Sequence, residues 1–381
     1  MAATKSPQVH DKLVIARDEL QGLFDALHQR GYQTVGPTLR DEVIVCDVIH
    51  GVDDLPAGWT DEQQPGTYRL RRRPDDALFG YNLGPHAWKR FLHPPVVRLW
   101  HAERTNGHYR LVQEEEQSPQ LALIGVRACD LHAIRILDRV LAHGTPADPI
   151  YSELRRKAFI VAVNCEQAGE TCFCVSMGTG PEMHDGYDLA LTELIDGDAH
   201  YFVADVGSAK GAAVAASVPH RAATEDEVEA ADCKVAKVAR EMGRTLDTEG
   251  LKEMLYRNLE SPRWEEIAAR CLACGNCTMV CPTCFCTTVQ DVTDLTGKQA
   301  ERWRKADSCF STEFSHIYGG SIRATPMSRY RQWLTHKMAS WVDQFGTFGC
   351  VGCGRCITWC PVGIDITEEV KAIRAADRAR A

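Results

Sequence analysis

Several things are scarce or missing in this chain of 381 residues, and each absence excludes something. No apolar run approaches the ~20 residues that a membrane-spanning helix needs. The opening stretch, MAATKSPQVHDKL, has no apolar segment of the kind found in a secretory signal. Basic charge is in deficit: 43 Lys and Arg stand against 52 Asp and Glu, a formal charge of −9. Nothing in that balance recommends a nucleic-acid or anionic-membrane partner. No P-loop, Ser/His/Asp triad or paired-carboxylate site is present. The one glycine cluster, Gly178-Thr-Gly180-Pro181, lacks the strand–glycine–helix setting of a dinucleotide fingerprint. His132 and His184 stand alone and read as satisfied polar residues.

Cysteine is what the chain has in abundance, with 17 residues. A secreted disulfide scaffold is the bland explanation. Disulfide-dense domains are usually small, however, and this chain is long enough to bury its own cores. The cysteines are also clustered. Cys271-Leu-Ala-Cys274-Gly-Asn-Cys277-Thr-Met-Val-Cys281-Pro282 recurs as Cys350-Val-Gly-Cys353-Gly-Arg-Cys356-Ile-Thr-Trp-Cys360-Pro361. Each is C-x2-C-x2-C-x3-C-P, the run of ferredoxins that carry two [4Fe–4S] clusters. The first three thiolates of a run hold one cubane, and the fourth reaches across to the other. Cys271, Cys274, Cys277 and Cys360 are therefore assigned to one cluster. Cys350, Cys353, Cys356 and Cys281 are assigned to the second. Structural zinc sites favour two separated C-x2-C pairs, often with His, and neither run contains a His. Thiolates meant for iron must stay reduced, which points to the cytoplasm. Two such clusters make an electron relay and imply no substrate pocket.

A second group, Cys129, Cys165, Cys172 and Cys174, lies in the first half. Two of these follow expected strands and could meet at one sheet edge. They fit a third iron–sulfur cluster, a redox-active or persulfide-handling set, or thiols packed for reasons of fold. Cys172-Phe-Cys174 is an unusual cluster spacing. Cys284, Cys286 and Cys309 are left over in the second half, where they could shield a cluster, modulate it, or simply pack. Cys46 reads as a buried small hydrophobe within a strand.

Periodicity divides the chain near residue 220. Residues 12–30 have apolar positions at helical spacing, ended by Gly31. Strands are expected at 42–50 and 68–73; the run Arg69, Arg71, Arg72 and Arg73 reads as a solvated edge. A hairpin is expected over 100–112 around Asn106-Gly107. Buried strands at 121–126 and 158–163, with helices between them, predict an α/β sheet that is at least partly parallel. Another hairpin joins 187–194 to 200–206. Thr224-Glu-Asp-Glu227 is a capping box that opens a helical stretch over 225–270. A short hairpin (287–292 and 300–305), a helix over 327–345 and a helical tail from 367 complete the second half. The expected fold is an α+β or α/β domain over 1–220, with a Cys-rich loop. A mainly α-helical two-[4Fe–4S] ferredoxin-like domain follows over 221–381.

The motifs around these cysteines resemble one family. They are Gly125-Val-Arg-Ala-Cys129-Asp130-Leu, Val163-Asn-Cys165, Thr171-Cys-Phe-Cys-Val-Ser-Met-Gly-Thr-Gly-Pro181, Asp188-Leu-Ala-Leu-Thr-Glu193-Leu and the two runs themselves. They are similar to the β (iron–sulfur) subunit of cytosolic sulfhydrogenases, the NAD(P)-linked nickel–iron hydrogenases, and to its relative among the subunits of anaerobic sulfite reductase. The resemblance implies an electron-transfer subunit of a soluble complex. Its partners would be a flavin/NAD(P)-binding subunit and nickel–iron small and large subunits. Two other readings remain open: the electron-input subunit of a sulfite or polysulfide reductase, and a structural docking adaptor.

Overall fold

Six consecutive apolar residues at 121–126 and five at 159–163 are buried throughout. Parallel strands covered on both faces read this way in sequence. The computed structural model describes residues 6–105, 107–113 and 118–380. In chain order the strands of the first half are β1 (Lys12–Ala16), β2 (Gln33–Arg40), β3 (Val43–Val48), β4 (Trp59–Gln64), β5 (Thr67–Arg72), β6 (Val96–Thr105), β7 (His108–Gln113), β8 (Leu121–Val126), β9 (Phe159–Val163), β10 (Leu189–Asp196), β11 (Ala199–Val206) and β12 (Arg221–Ala222). Eight of them form one sheet in the order β12-β1-β11-β10-β9-β8-β2-β3. The pairs β2–β8, β8–β9 and β9–β10 are parallel, and the others are antiparallel. The helices Gln21–Gln29, Ala128–Leu137, Pro149–Lys157 and Ala209–Ala215 pack their apolar faces into this sheet. Phe24, Leu131, Tyr151 and Val214 are among the buried side chains they contribute.

The expectation of helix across residues 12–30 needs correction. Lys12–Ala16 is a strand, with Leu13, Val14 and Ile15 buried, and the helix begins only at Gln21. Pairing with β11 and β12 on either side outweighs the helical spacing of a few apolar residues. The arginine run is also only partly a solvated edge. Arg72 lies over the Trp59 ring at 4.0 Å, and Arg73 is half-buried and bonds both oxygens of Asp75 at 2.6 and 2.8 Å.

In the second half, Thr224 caps the helix Glu225–Arg240, with Glu227 completing the box. The helices Leu251–Arg257, Arg263–Ala268, Pro326–Thr335 and Ile366–Arg378 bring Trp264, Tyr330, Trp333 and Ile373 into a second core. The expectation of a mainly helical second half is met only in part. Its hairpin, β13 (Thr287–Thr293) and β14 (Gln299–Ala306), does not stand alone. β14 pairs with β6, giving a four-stranded sheet in the order β13-β14-β6-β7 that spans both halves. An antiparallel hairpin leaves an open edge, and β6 of the first half supplies the strand that covers it. Thr105 pairs with His108 at the expected β6–β7 turn, of which Asn106 lies outside the described residues.

A buried ion pair also joins the halves. Arg355 donates to the two oxygens of Asp130 at 2.7 and 2.9 Å, and neither side chain is more than 5% exposed. Asp130→Ala would leave the guanidinium buried without its counter-charge, at a cost of about 3–5 kcal/mol. Anaerobic urea unfolding should show the midpoint fall accordingly. A loss under ~1 kcal/mol would mean that the pair does not hold the halves together.

Candidate metal centres

The two cysteine runs fold as copies of each other. In each, the residue before the second cysteine is left-handed, Ala273 at φ 51° and Gly352 at φ 65°. This turns its backbone N–H onto the first sulfur: Ala273 N donates to Cys271 Sγ and Gly352 N to Cys350 Sγ, both at 3.4 Å. The next glycines, Gly275 and Gly354, are also left-handed and lead into the short helices Asn276–Met279 and Arg355–Thr358. A left-handed alanine costs on the order of 1–2 kcal/mol, so the bend is imposed by the site and not by local preference.

At Gly352 and Gly354 the lack of a side chain has a second use. A Cβ at Gly352 would stand 2.6 Å from the backbone of Phe173 and Cys174, and one at Gly354 2.5 Å from Thr171 O. The second run therefore lies directly against the cysteine-rich loop of the first half. Phe173 N donates to Gly352 O at 2.8 Å. Gln63 Oε1 accepts from both Thr171 and Thr358, at 3.2 and 2.9 Å.

Cys271, Cys274, Cys277 and Cys360 line one cavity, with Cys356 also on its wall beside Phe310, Tyr330, Trp333 and Ile364. Cys360 comes from the other run, and its sulfur accepts Ile364 N–H at 3.3 Å. Burial raises the Cys277 thiol, and its cysteine neighbours are, in order of effect, Cys271, Cys360, Cys274 and Cys281. Cys356, buried likewise, has Cys350, Cys353 and Cys281 as its charged neighbours. The fourth cysteine of each run thus lies within reach of the other run. Burial pushes the Cys350 thiol up to about 12. Thiols so placed ionise only against a positive centre, and four on an apolar cavity are a donor set that fits a cubane. Among the described residues no three Cys, His, Asp or Glu side chains converge so as to hold a single ion. Zinc needs its donors at about 2.0–2.3 Å from one centre, whereas cubane thiolates bind separate iron corners.

Lys337 lies at the site, and nothing in the sequence motifs singles it out. It is 3% exposed, and its Nζ lies 3.1 Å from Cys281 Sγ, 3.7 Å from Cys284 Sγ and 2.9 Å from Gly349 O. Burial opposes its charge, yet the sulfurs of Cys281 and Cys284 hold the ammonium well above its ordinary range. Cys281 is drawn well below its own, by a hydrogen bond from Cys284 first and, once burial is overcome, by Lys337. A π turn, His336–Ser340, carries Lys337 within the helical stretch, and such bulges often mark functional positions. Lys89 supports the same loop by donating to Cys281 O and Cys284 O at 3.0 and 2.7 Å. The leftover cysteines gather here as well. Cys284 pairs with Cys281, and a hydrogen bond from Cys309 brings Cys286 down to about 7.

The first-half cysteines also meet. Cys129, Cys165, Cys172 and Cys174 line a separate cavity, with Cys353 of the second run on its wall. Burial raises all four thiols, Cys174 to about 12. The nearby glycines have backbone roles: Gly178 is the left-handed end of the helix Cys174–Met177, and Gly180 packs on Ala128. His132 and His184 line a different cavity.

Residues 270–364, which hold both runs, match the 4Fe-4S dicluster domain. The chain is 37% identical over 362 residues to sulfhydrogenase 2 subunit beta of Pyrococcus furiosus, covering 92% of this chain and 95% of that protein. No solved structure matches it. With cysteines gathered for clusters in the second half, and likeness to that relative running through both halves, the chain belongs to the family of sulfhydrogenase β subunits.

Proposed function

We propose that the chain is the electron-transfer subunit of a cytoplasmic, NAD(P)-linked nickel–iron hydrogenase. In this reading it relays electrons between a flavin/NAD(P)-binding subunit and the nickel–iron small and large subunits. It holds two [4Fe–4S] clusters, one on Cys271, Cys274, Cys277 and Cys360, the other on Cys350, Cys353, Cys356 and Cys281. The observation that carries this reading is the presence of Cys360 in the cavity of the first run. Each cluster, when bound, takes up and gives back one electron at a time.

The chain's own residues hold and tune these centres. Backbone N–H groups of Ala273, Gly352 and Ile364 donate to ligand sulfurs. Phe310, Tyr330 and Trp333 give the first cavity an aromatic wall. Cys274 is the exposed member of its set, and Leu272 and Met279 beside it are 64% and 52% exposed. That face suits close approach of a partner's redox centre. The second run lies against the cysteine-rich loop, and none of its cysteines is exposed as Cys274 is. Among the described residues no helix is long and apolar enough to cross a membrane.

Anaerobic isolation of the native complex tests this. At least about eight irons per chain are expected, with nickel and flavin on co-purifying subunits. Fewer than about four irons with stoichiometric zinc would overturn the reading. A siroheme-containing partner in place of nickel would move the chain to a sulfite or polysulfide reductase.

A further inference from the structure

We propose that Cys129, Cys165, Cys172 and Cys174 hold a third [4Fe–4S] cluster, set beside the second-run site. Iron binding there stands on its own observations; its place in a relay rests on the two-cluster reading above.

The four thiols come from three separate segments. Cys129 follows β8 at the start of the helix Ala128–Leu137, and Cys165 follows β9 by two residues. These are adjacent parallel strands, and the crevice outside the carboxyl ends of such strands is where open α/β sheets place ligands. Cys172 and Cys174 arrive on the long loop. Their unusual C-x-C spacing has a structural cause. Phe173 between them is fully buried in the core of the second half. Anchoring the middle residue leaves both flanking cysteines on the wall of the same cavity.

As free thiols the group has little to hold it. Cys172 Sγ donates to Cys353 O, but the contact is long at 3.7 Å. Metal ligation would supply the partners that these gathered sulfurs lack and would stabilise the folded state. The surroundings also suit an anionic cluster. Arg127 and Arg355 line the cavity, both buried. Arg127 is fixed by the carbonyls of Phe79, Tyr81 and Asn164 at 2.7–2.9 Å, none of which neutralises it. Arg355 is paired with Asp130. Arg127 has the buried Asp61 as its charged neighbour, so each guanidinium on this wall has a carboxylate behind it while the thiols face the cavity.

Cys353 both serves the second-run cluster and borders this cavity. A third centre here would exchange single electrons with that cluster, one being oxidised as the other is reduced. Electrons would enter from a reduced flavin or cluster of a partner subunit. The order along the chain's path becomes N-terminal site, second-run cluster, first-run cluster, exposed Cys274 face.

The test compares the full chain, anaerobically reconstituted with iron and sulfide, with Cys172→Ala/Cys174→Ala and Cys360→Ala. About twelve irons are expected in the wild type and about eight in each variant. If the wild type and the double variant both hold about eight irons while Cys360→Ala holds about four, the third site is refuted and the two-cluster relay stands. Zinc that is bound by the wild type and lost in the double variant would also refute it. Should the double variant not fold, Cys165→Ser is read by spin integration of the dithionite-reduced protein. About one spin per chain fewer than wild type is expected, and an unchanged count overturns the proposal.

Discussion

Cys360→Ala should remove the cluster of the first cysteine run and leave that of its own run in place. The two runs are far apart in sequence, yet Cys360 shares its cavity with Cys271, Cys274 and Cys277. Three ligands from one run cannot close the tetrahedral set of thiolates, so loss of the fourth opens the cluster to solvent. Iron should fall by about four per chain, with one of the reduced-state signals gone. The reciprocal variant, Cys281→Ala, should cost the cluster of Cys350, Cys353 and Cys356. Combining each variant with Cys274→Ala or Cys353→Ala separates the cases. Cys274→Ala added to Cys360→Ala should remove no further iron, and Cys353→Ala added to it should remove about four more. The opposite pairing would overturn the crossed assignment.

Lys337→Met should lower the reduction potential of the second-run cluster. The ammonium is buried and donates to Cys281 Sγ at 3.1 Å. Reduction adds negative charge to the cluster, so a nearby cation favours the reduced form, and removing it favours the oxidised one. A hydrogen bond to a charged group contributes about 1.5–3 kcal/mol, and at 59 mV per tenfold for one electron this corresponds to a fall on the order of 100 mV. Methionine keeps most of the volume, so the apolar surroundings should stay filled. EPR-monitored titration resolves the two clusters. The first-run cluster, away from this contact, should shift much less. A second-run potential within ~20 mV of wild type would show that the lysine is structural only, since a lost charged hydrogen bond implies several times that.

These two outcomes draw on different levels of information. The spacing of the cysteine runs already implied the crossed pairing, because a run of eleven residues bends around its own cluster and its fourth cysteine must point elsewhere. The left-handed turns at Ala273 and Gly352 and the N–H bonds to Cys271 and Cys350 are that local geometry made visible. Lys337 had no such local signal. It sits in the π turn that follows the helix Pro326–Thr335, and in sequence its pattern is that of any lysine whose stem lies against apolar neighbours. Its contact with Cys281 depends on how that helix packs.

Most of the elements and the two cysteine runs were legible in the chain before it folds, since apolar periodicity, turn residues and ligand spacing are short-range and each is complete within some ten to fifteen residues. The buried strands β8 and β9, the Thr224 capping box and the β13–β14 hairpin belong to that group. Whatever depends on distant partners was settled by the assembled fold. It made a strand of Lys12–Ala16 through pairing with β11 and β12, and it joined β14 to β6. It seated the backbone of Gly352 and Gly354 on the loop of Cys172 and Cys174, and it brought those two cysteines to Cys129 and Cys165 on one cavity. Sheet order and core packing set these meetings, and neither leaves a trace in any window of sequence short enough to read alone.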